Sequence, residues 1–116
     1  MTQEITSLAD FEKLKSSSLL IIDFSAEWCG PCRMIAPIYE SLASEYASTS
    51  IIFAKCDVDK AEDVSKACHI TAMPTFKFFR NGKEVDTVRG ANPPALKQTL
   101  DKYIQDVARE TDTKGN

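Results

Sequence analysis

Cys29 and Cys32, three positions apart in the stretch AEWCGPCRM of residues 26–34, are the residues best suited to chemistry in this chain. Two thiols at that spacing can hold a metal ion, close a structural staple or pass electrons. A zinc site would need two more ligands. Cys56, Cys68 and His69 are the remaining candidates, and no second C-x-x-C pair accompanies them. An inert pair of packed thiols fits poorly with Gly30 and Pro31, which read as a loop at that point. Beside a strand–helix–strand pattern the spacing favours redox exchange, with the other two readings still open.

The surroundings sharpen the roles of the two sulfurs. LLIIDFS, Leu19–Ser25, is a continuous apolar run with one acid and reads as a strand buried on both faces. It feeds a long helix that opens at Cys29, so the pair sits outside the carboxyl end of a central strand, where sites in α/β sheets gather. Unpaired N–H groups and the positive dipole end of that helix favour a thiolate over a thiol. Cys29 is then the low-pKa nucleophile, and Pro31 suits the first turn. Cys32, one turn on, is expected beneath Cys29, less exposed and placed to resolve a mixed disulfide.

Two distant positions join the site. Asp23 lies inside the apolar run, where an unpaired carboxylate would cost several kcal/mol or take up a proton. An acid reaching water at the strand end is the plainer alternative. Lys55 holds the corresponding late position of the next strand, and parallel pairing would put both on one face near the cysteines. Asp23 could then accept the proton of Cys32. Met73-Pro74 is either punctuation before a strand or a cis bond that turns the Met73 backbone outward toward an extended peptide.

The elements that must position these residues follow from pattern. Ser7 caps a first helix carrying Leu8, Phe11 and Leu14. The helix from Cys29 has Ile35, Ile38, Leu42 and Tyr46 as its inner stripe and a kink at Pro37. Residues 51–58 form a second buried strand, completing a right-handed parallel crossover. Asp59 with Glu62 resembles a capping box for a helix ending near Cys68. Residues 75–79 form a strand, and Asn81-Gly82 turn it into EVDTVR. Asn92 and Pro93 start a last helix whose stripe is Leu96, Leu100, Tyr103, Ile104 and Val107. One domain, residues 1–109, is expected, with a frayed polar tail over 110–116.

Charge and hydropathy exclude several classes. A net charge of −3 without a run of five like charges argues against nucleic acid as a partner. No stretch approaches the ~18 apolar residues that span a bilayer. The start, MTQEITSLADFEKLK, has no apolar core of a secretory signal, so a cytoplasmic or nuclear protein with reduced thiols is expected.

Taken together, DFSAEWCGPCRMIAP (residues 23–37), AKCDVD (54–59), MPTFKFFRNG (73–82) and Gly90-Ala91 resemble the thioredoxin family, over the chain to about Val107. The resemblance implies an α/β thioredoxin fold, a central five-stranded mixed sheet flanked by four helices. It implies a protein-disulfide reductase in which Cys29 attacks and Cys32 resolves, with Gly30 and Pro31 tuning the potential. Asp23 would be the buried acid paired with Lys55. Pro74 would be a cis-proline beside the sulfurs, and Trp28, Met73, Gly90 and Ala91 would complete an apolar docking face with it. A thioredoxin reductase using NADPH would recycle the protein, and no cofactor or metal would bind this chain. The family also implies substrates of the peroxiredoxin, ribonucleotide reductase and methionine sulfoxide reductase types, and a monomer.

Cys56 and Cys68 depart from the redox pair. Cys56 reads as a small buried hydrophobe. Cys68 resembles the additional cysteine of animal-type cytosolic thioredoxins, a regulatory thiol there, although a solvent-exposed bystander is the simpler expectation. His69, at a helix C-terminus, is explained by the helix dipole. Two rival functions accompany the reductase. One is an isomerase or oxidase on the same fold, which usually carries a histidine between the cysteines. The other is a binding module that holds a partner only in the dithiol state.

Overall fold

The computed structural model describes residues 2–114, with side chains described over residues 2–110. Among the described residues five strands and four helices follow one another in the order β1 (Gln3–Glu4), α1 (Leu8–Lys15), β2 (Leu19–Ser25), α2 (Gly30–Tyr46), β3 (Ile51–Asp57), α3 (Glu62–Ala67), β4 (Thr75–Arg80), β5 (Lys83–Arg89) and α4 (Pro93–Lys114). The sheet runs in the order β1-β3-β2-β4-β5. β1, β3 and β2 are parallel, while β4 pairs antiparallel to β2 and β5 antiparallel to β4. This is the mixed five-stranded thioredoxin fold with four helices that the motifs implied.

β2 is central, and its alternation splits the core in two. Leu19 and Ile21 face α2 and α4, where they meet Ile35, Tyr39, Leu42, Leu96, Leu100 and Tyr103. Leu20, Ile22 and Phe24 face α1 and α3, where they meet Phe11, Val64 and Phe79. A strand buried on both faces can be continuously apolar, which is why LLIIDFS shows no period-two pattern. Asp23, two residues beyond Ile21, inherits the α2 face by the same alternation.

The local signals at three element ends hold. Ser7 accepts a hydrogen bond from the Asp10 amide at 3.1 Å, and Asn92 accepts one from the Ala95 amide at 3.1 Å. Asn81 and Gly82 both take positive φ, 51° and 90°, as a two-residue hairpin turn with the sheet's twist requires.

Elsewhere the structure departs from pattern. β1 is two exposed residues paired to β3 at Gln3↔Ala54 and Glu4↔Lys55, too short and polar to leave a periodic signal. Ile38 is exposed and Tyr39 takes its place in the core. The Tyr39 hydroxyl reaches the carbonyls of Ile21 (3.0 Å) and Ala54 (2.7 Å), and its ring packs on Phe53 and Phe76. Pro37 lies inside α2 on its exposed side. α3 starts after Ala61 with no side-chain cap: the expected capping residue, Asp59, lies two positions before the N-cap and accepts from the Trp28 indole instead. α4 continues to Lys114, so residues 110–114 of the expected frayed tail are helical, and residues 115 and 116 lie outside the described residues.

Candidate active site

The β2–α2 junction delivers both sulfurs. Cys29 is the N-cap of α2, with extended backbone (φ −86°, ψ 111°), and Gly30 and Pro31 fill the first turn. Cys29 and Cys32 are joined as a disulfide with their Cα atoms 5.3 Å apart. The Cys32 amide donates a hydrogen bond to Cys29 Sγ at 3.2 Å. An N-cap side chain normally accepts such a bond through oxygen. Here sulfur takes that role, so the same amide and the helix dipole favour a thiolate at Cys29 once the disulfide is opened.

Exposure does not separate the two cysteines, which are 6% and 4% accessible. Their surroundings do. Cys29 and Cys32 form a small apolar cluster with Ala26, against which Val58 and Met73 pack. Cys32 also lines an open cleft of about 360 Å³ between α2 and β3, together with Asp23, Lys55, Tyr39 and Glu40. The expected difference therefore lies in access to the cleft and not in burial.

The other sulfur-side neighbours gather at the same end of the sheet. Thr75, the first residue of β4, pairs with Phe24 of β2 and Arg89 of β5, so Met73-Pro74 and Gly90-Ala91 sit just past those pairs. The Met73–Pro74 bond is cis, and the Gly90 amide donates to the Pro74 carbonyl at 2.9 Å. Gly90 has φ 90°, a conformation that glycine adopts at no steric cost. Ala91 packs partly buried against the α2/α4 core. Trp28 is 66% exposed and is held by its indole N–H, which donates to Asp59 Oδ2 at 2.8 Å. Asp59 is steadied in turn, its amide donating to Asp57 Oδ1.

Asp23 and Lys55 are direct register partners on parallel β2 and β3, as the spacing of the two strands suggested. Asp23 is buried, and its Oδ1 has no hydrogen-bond partner. Burial pushes its carboxyl up to about 7, opposed by the charge of Lys55 and reinforced by that of Glu40. Lys55 is exposed, and its charge acts on Asp23 through space.

Cys56 and Cys68 stand apart from this group, in the α1/α3 core, so they do not supply a metal site around the pair. Among the described residues no cluster of three His, Cys, Asp or Glu side chains is arranged to hold a metal ion. Cys56 is the buried hydrophobe expected. Cys68 is not solvent-exposed: it is 4% accessible, because it follows Val64 by one turn and shares the inner face of α3. Burial pushes the thiols of Cys56 and Cys68 up to about 12 and about 11. His69 follows in a left-handed conformation (φ 57°), its amide donating to the Lys66 carbonyl and that of Ile70 to Ser65. Both bonds are those of a Schellman helix end, so His69 has a backbone task beyond a dipole interaction.

Sequence reasoning passed over Tyr39, Glu40 and Asp59 as parts of the site. For Tyr39, the i, i+4 spacing from Ile35 was an available signal. Asp59 carried a helix-cap signature instead, and nothing in the chain marks Glu40.

The sequence model of the thioredoxin family matches residues 3–103 of the chain. The thioredoxin of Coprinus comatus is 48% identical over 105 residues, covering 90% of this chain and 99% of its own. Thioredoxin 1 of Plasmodium falciparum is 49% identical over 104 residues, covering 89% and 98%. Among solved structures, Plasmodium falciparum thioredoxin superposes with a TM-score of 0.83 at 48% identity, over 88% of this chain and 99% of that one. Malassezia sympodialis thioredoxin gives 0.84 at 38% identity, over 89% and 93%.

Proposed function

The chain belongs to the thioredoxin family and is a dithiol–disulfide oxidoreductase, and from that premise we propose that it works as a reductant of protein disulfides. The observation that carries this reading is the Cys29–Cys32 disulfide at the N-terminus of α2, with the Cys32 amide on Cys29 Sγ. In the dithiol form Cys29 is the thiolate. It attacks one sulfur of a substrate disulfide, forming the Cys29–substrate bond while the other substrate sulfur leaves with the electron pair and takes a proton. Cys32 then loses its proton to the Asp23 carboxylate across the cleft and attacks Cys29 Sγ. The Cys29–Cys32 bond forms, the mixed disulfide breaks, and the first substrate sulfur leaves as a thiolate. Two electrons have passed to the substrate.

Trp28, Met73, Pro74, Gly90 and Ala91 form the docking face in this proposal, with the Met73 backbone pairing to an extended substrate segment. Gly30 and Pro31 hold the first turn that sets the poise of the pair, and Lys55 moderates Asp23. A thioredoxin reductase drawing on NADPH returns the disulfide to the dithiol. Partner proteins of the peroxiredoxin, ribonucleotide reductase and methionine sulfoxide reductase types are the proposed substrates. The proposed site of action is the cytoplasm or nucleus, where unpaired thiols such as Cys56 and Cys68 stay reduced.

Turnover of a disulfide-bonded test protein by wild type, Cys29→Ser and Cys32→Ser checks the assignment. Both variants lose turnover, and only Cys32→Ser accumulates a covalent mixed disulfide. Accumulation in Cys29→Ser instead would reverse the roles. Asp23→Asn slows resolution of the mixed disulfide, on the order of 10²-fold, the range of a lost proton acceptor.

A further inference from the structure

We propose that Glu40, held at the cleft by Thr2, is a positioning residue for the resolving step, its negative charge setting how readily Asp23 takes the proton that Cys32 gives up. This deepens the reading of Asp23 as proton acceptor and rests on it.

The geometry begins with a row of register partners. Glu4 of β1 pairs with Lys55 of β3, which pairs with Asp23 of β2, so the three side chains share the face that α2 covers. The next partner in the row, Phe76 of β4, is apolar. α2 closes the cleft from above with Cys32, Ala36, Tyr39 and Glu40. Four of the charges around the rim, Glu27, Arg33, Asp57 and Lys60, are engaged with one another or with backbone. Arg33 donates to the Glu27 carbonyl at 2.6 Å, and Lys60 pairs with the Glu27 carboxylate at 3.2 Å. Asp57, at the end of β3, accepts from the Asp59 amide.

Glu40 is placed differently. It is half-buried, and its Oε2 accepts from the Thr2 hydroxyl at 2.8 Å, a bond that ties α2 to the residue just before β1. Glu40 and Lys55 act on Asp23 in opposite senses: Lys55 favours the carboxylate and Glu40 the neutral acid. Both face a group with an unpartnered oxygen, where solvent screens little. Glu40 also acts on the buried Tyr39 hydroxyl in the same sense. The chain thus carries a charge that opposes Lys55: Glu40 makes Asp23 a stronger base for the Cys32 proton in the resolving step, and Lys55 favours its release afterwards.

The test is a pH titration of the Asp23 carboxyl by ¹³C NMR in the oxidised protein, run beside the pH profile of mixed-disulfide resolution. In Glu40→Gln the Asp23 midpoint falls by ~0.5 pH unit or more, and the resolution profile moves to lower pH with it. Glu40→Asp, which keeps the charge, stays near wild type, and Thr2→Val shows a smaller fall as Glu40 is released. An unchanged midpoint in Glu40→Gln would overturn the proposal, and so would an equal fall in Glu40→Asp, which would assign the effect to packing. A midpoint that falls while the resolution profile stays fixed would leave the hold of Glu40 on Asp23 standing and sink Asp23 as the acceptor.

Discussion

Asp23 enters β2 between Ile22 and Phe24 because strand alternation puts it there, and its carboxyl group carries the consequence. Burial raises it to about 7, above the ordinary value of 3.8, so the folded state binds its proton more tightly than the unfolded chain does. The stability tied to this proton is complete below about pH 4 and is lost as pH rises through 7. Asp23→Asn is neutral at every pH. Its stability relative to wild type should therefore grow between pH 4 and pH 8, to at most ~4 kcal/mol, in urea melts of the oxidised protein. A constant difference across that range would count against a neutral Asp23. The two thiols of the α1/α3 core lead to a second expectation. With Cys56 and Cys68 raised to about 12 and about 11, native protein at pH 8 should resist alkylation at both positions, while urea exposes both. Rapid labelling of native Cys68 in mass spectrometry would overturn its placement.

At the scale of elements, α2 both supplies the sulfurs and roofs the cleft, and Tyr39 fastens it to the sheet. Its one hydroxyl proton is shared between two carbonyls, Ala54 on β3 at 2.7 Å and Ile21 on β2 at 3.0 Å, on the strands that carry Lys55 and Asp23. Tyr39→Phe keeps the ring contacts with Phe53 and Phe76 and removes only that bridge. A loss of about 1–2 kcal/mol in denaturant unfolding is expected, with the redox turnover retained at neutral pH. A loss below about 0.3 kcal/mol would mean that the strand carbonyls need no partner from α2. The Ser7 and Asn92 caps and the Asn81-Gly82 turn were legible because each is a local hydrogen-bonding or φ requirement. Asp59 was misread for a related reason. A carboxylate near a helix start can cap it, but α3 begins only at Glu62, and Asp59 meets the Trp28 indole from another segment.

Across the whole molecule, α4 packs along the α2 side of the sheet and latches at its far end. Arg80, closing β4, is nearly buried and pairs with Glu110, while its Nε has no partner. Removing one member of such a pair strands the other in a poorly solvated place. Glu110→Ala should cost roughly 1–3 kcal/mol in thermal or urea unfolding, with Arg80→Leu in the same background recovering part of it. No recovery would locate the effect in α4 itself. This latch holds Glu110, the first residue of the polar stretch 110–116, against the end of β4.

The amino-acid sequence alone determined the order of the main elements, the two-faced burial of β2, the cysteine pair at a helix start and the acid six residues before it. Those features depend on neighbours in the chain, through alternation, caps, turns and motif spacing. Tertiary structure decided the rest. It brought Glu4, Lys55 and Asp23 into one row, turned Cys68 inward, put Tyr39 in place of Ile38, gave Asp59 to Trp28 and set Glu40 over Asp23. Each of these depends on which strand lies beside which and how far a side chain is from water. Desolvation and through-space charge act between residues that the chain keeps many positions apart.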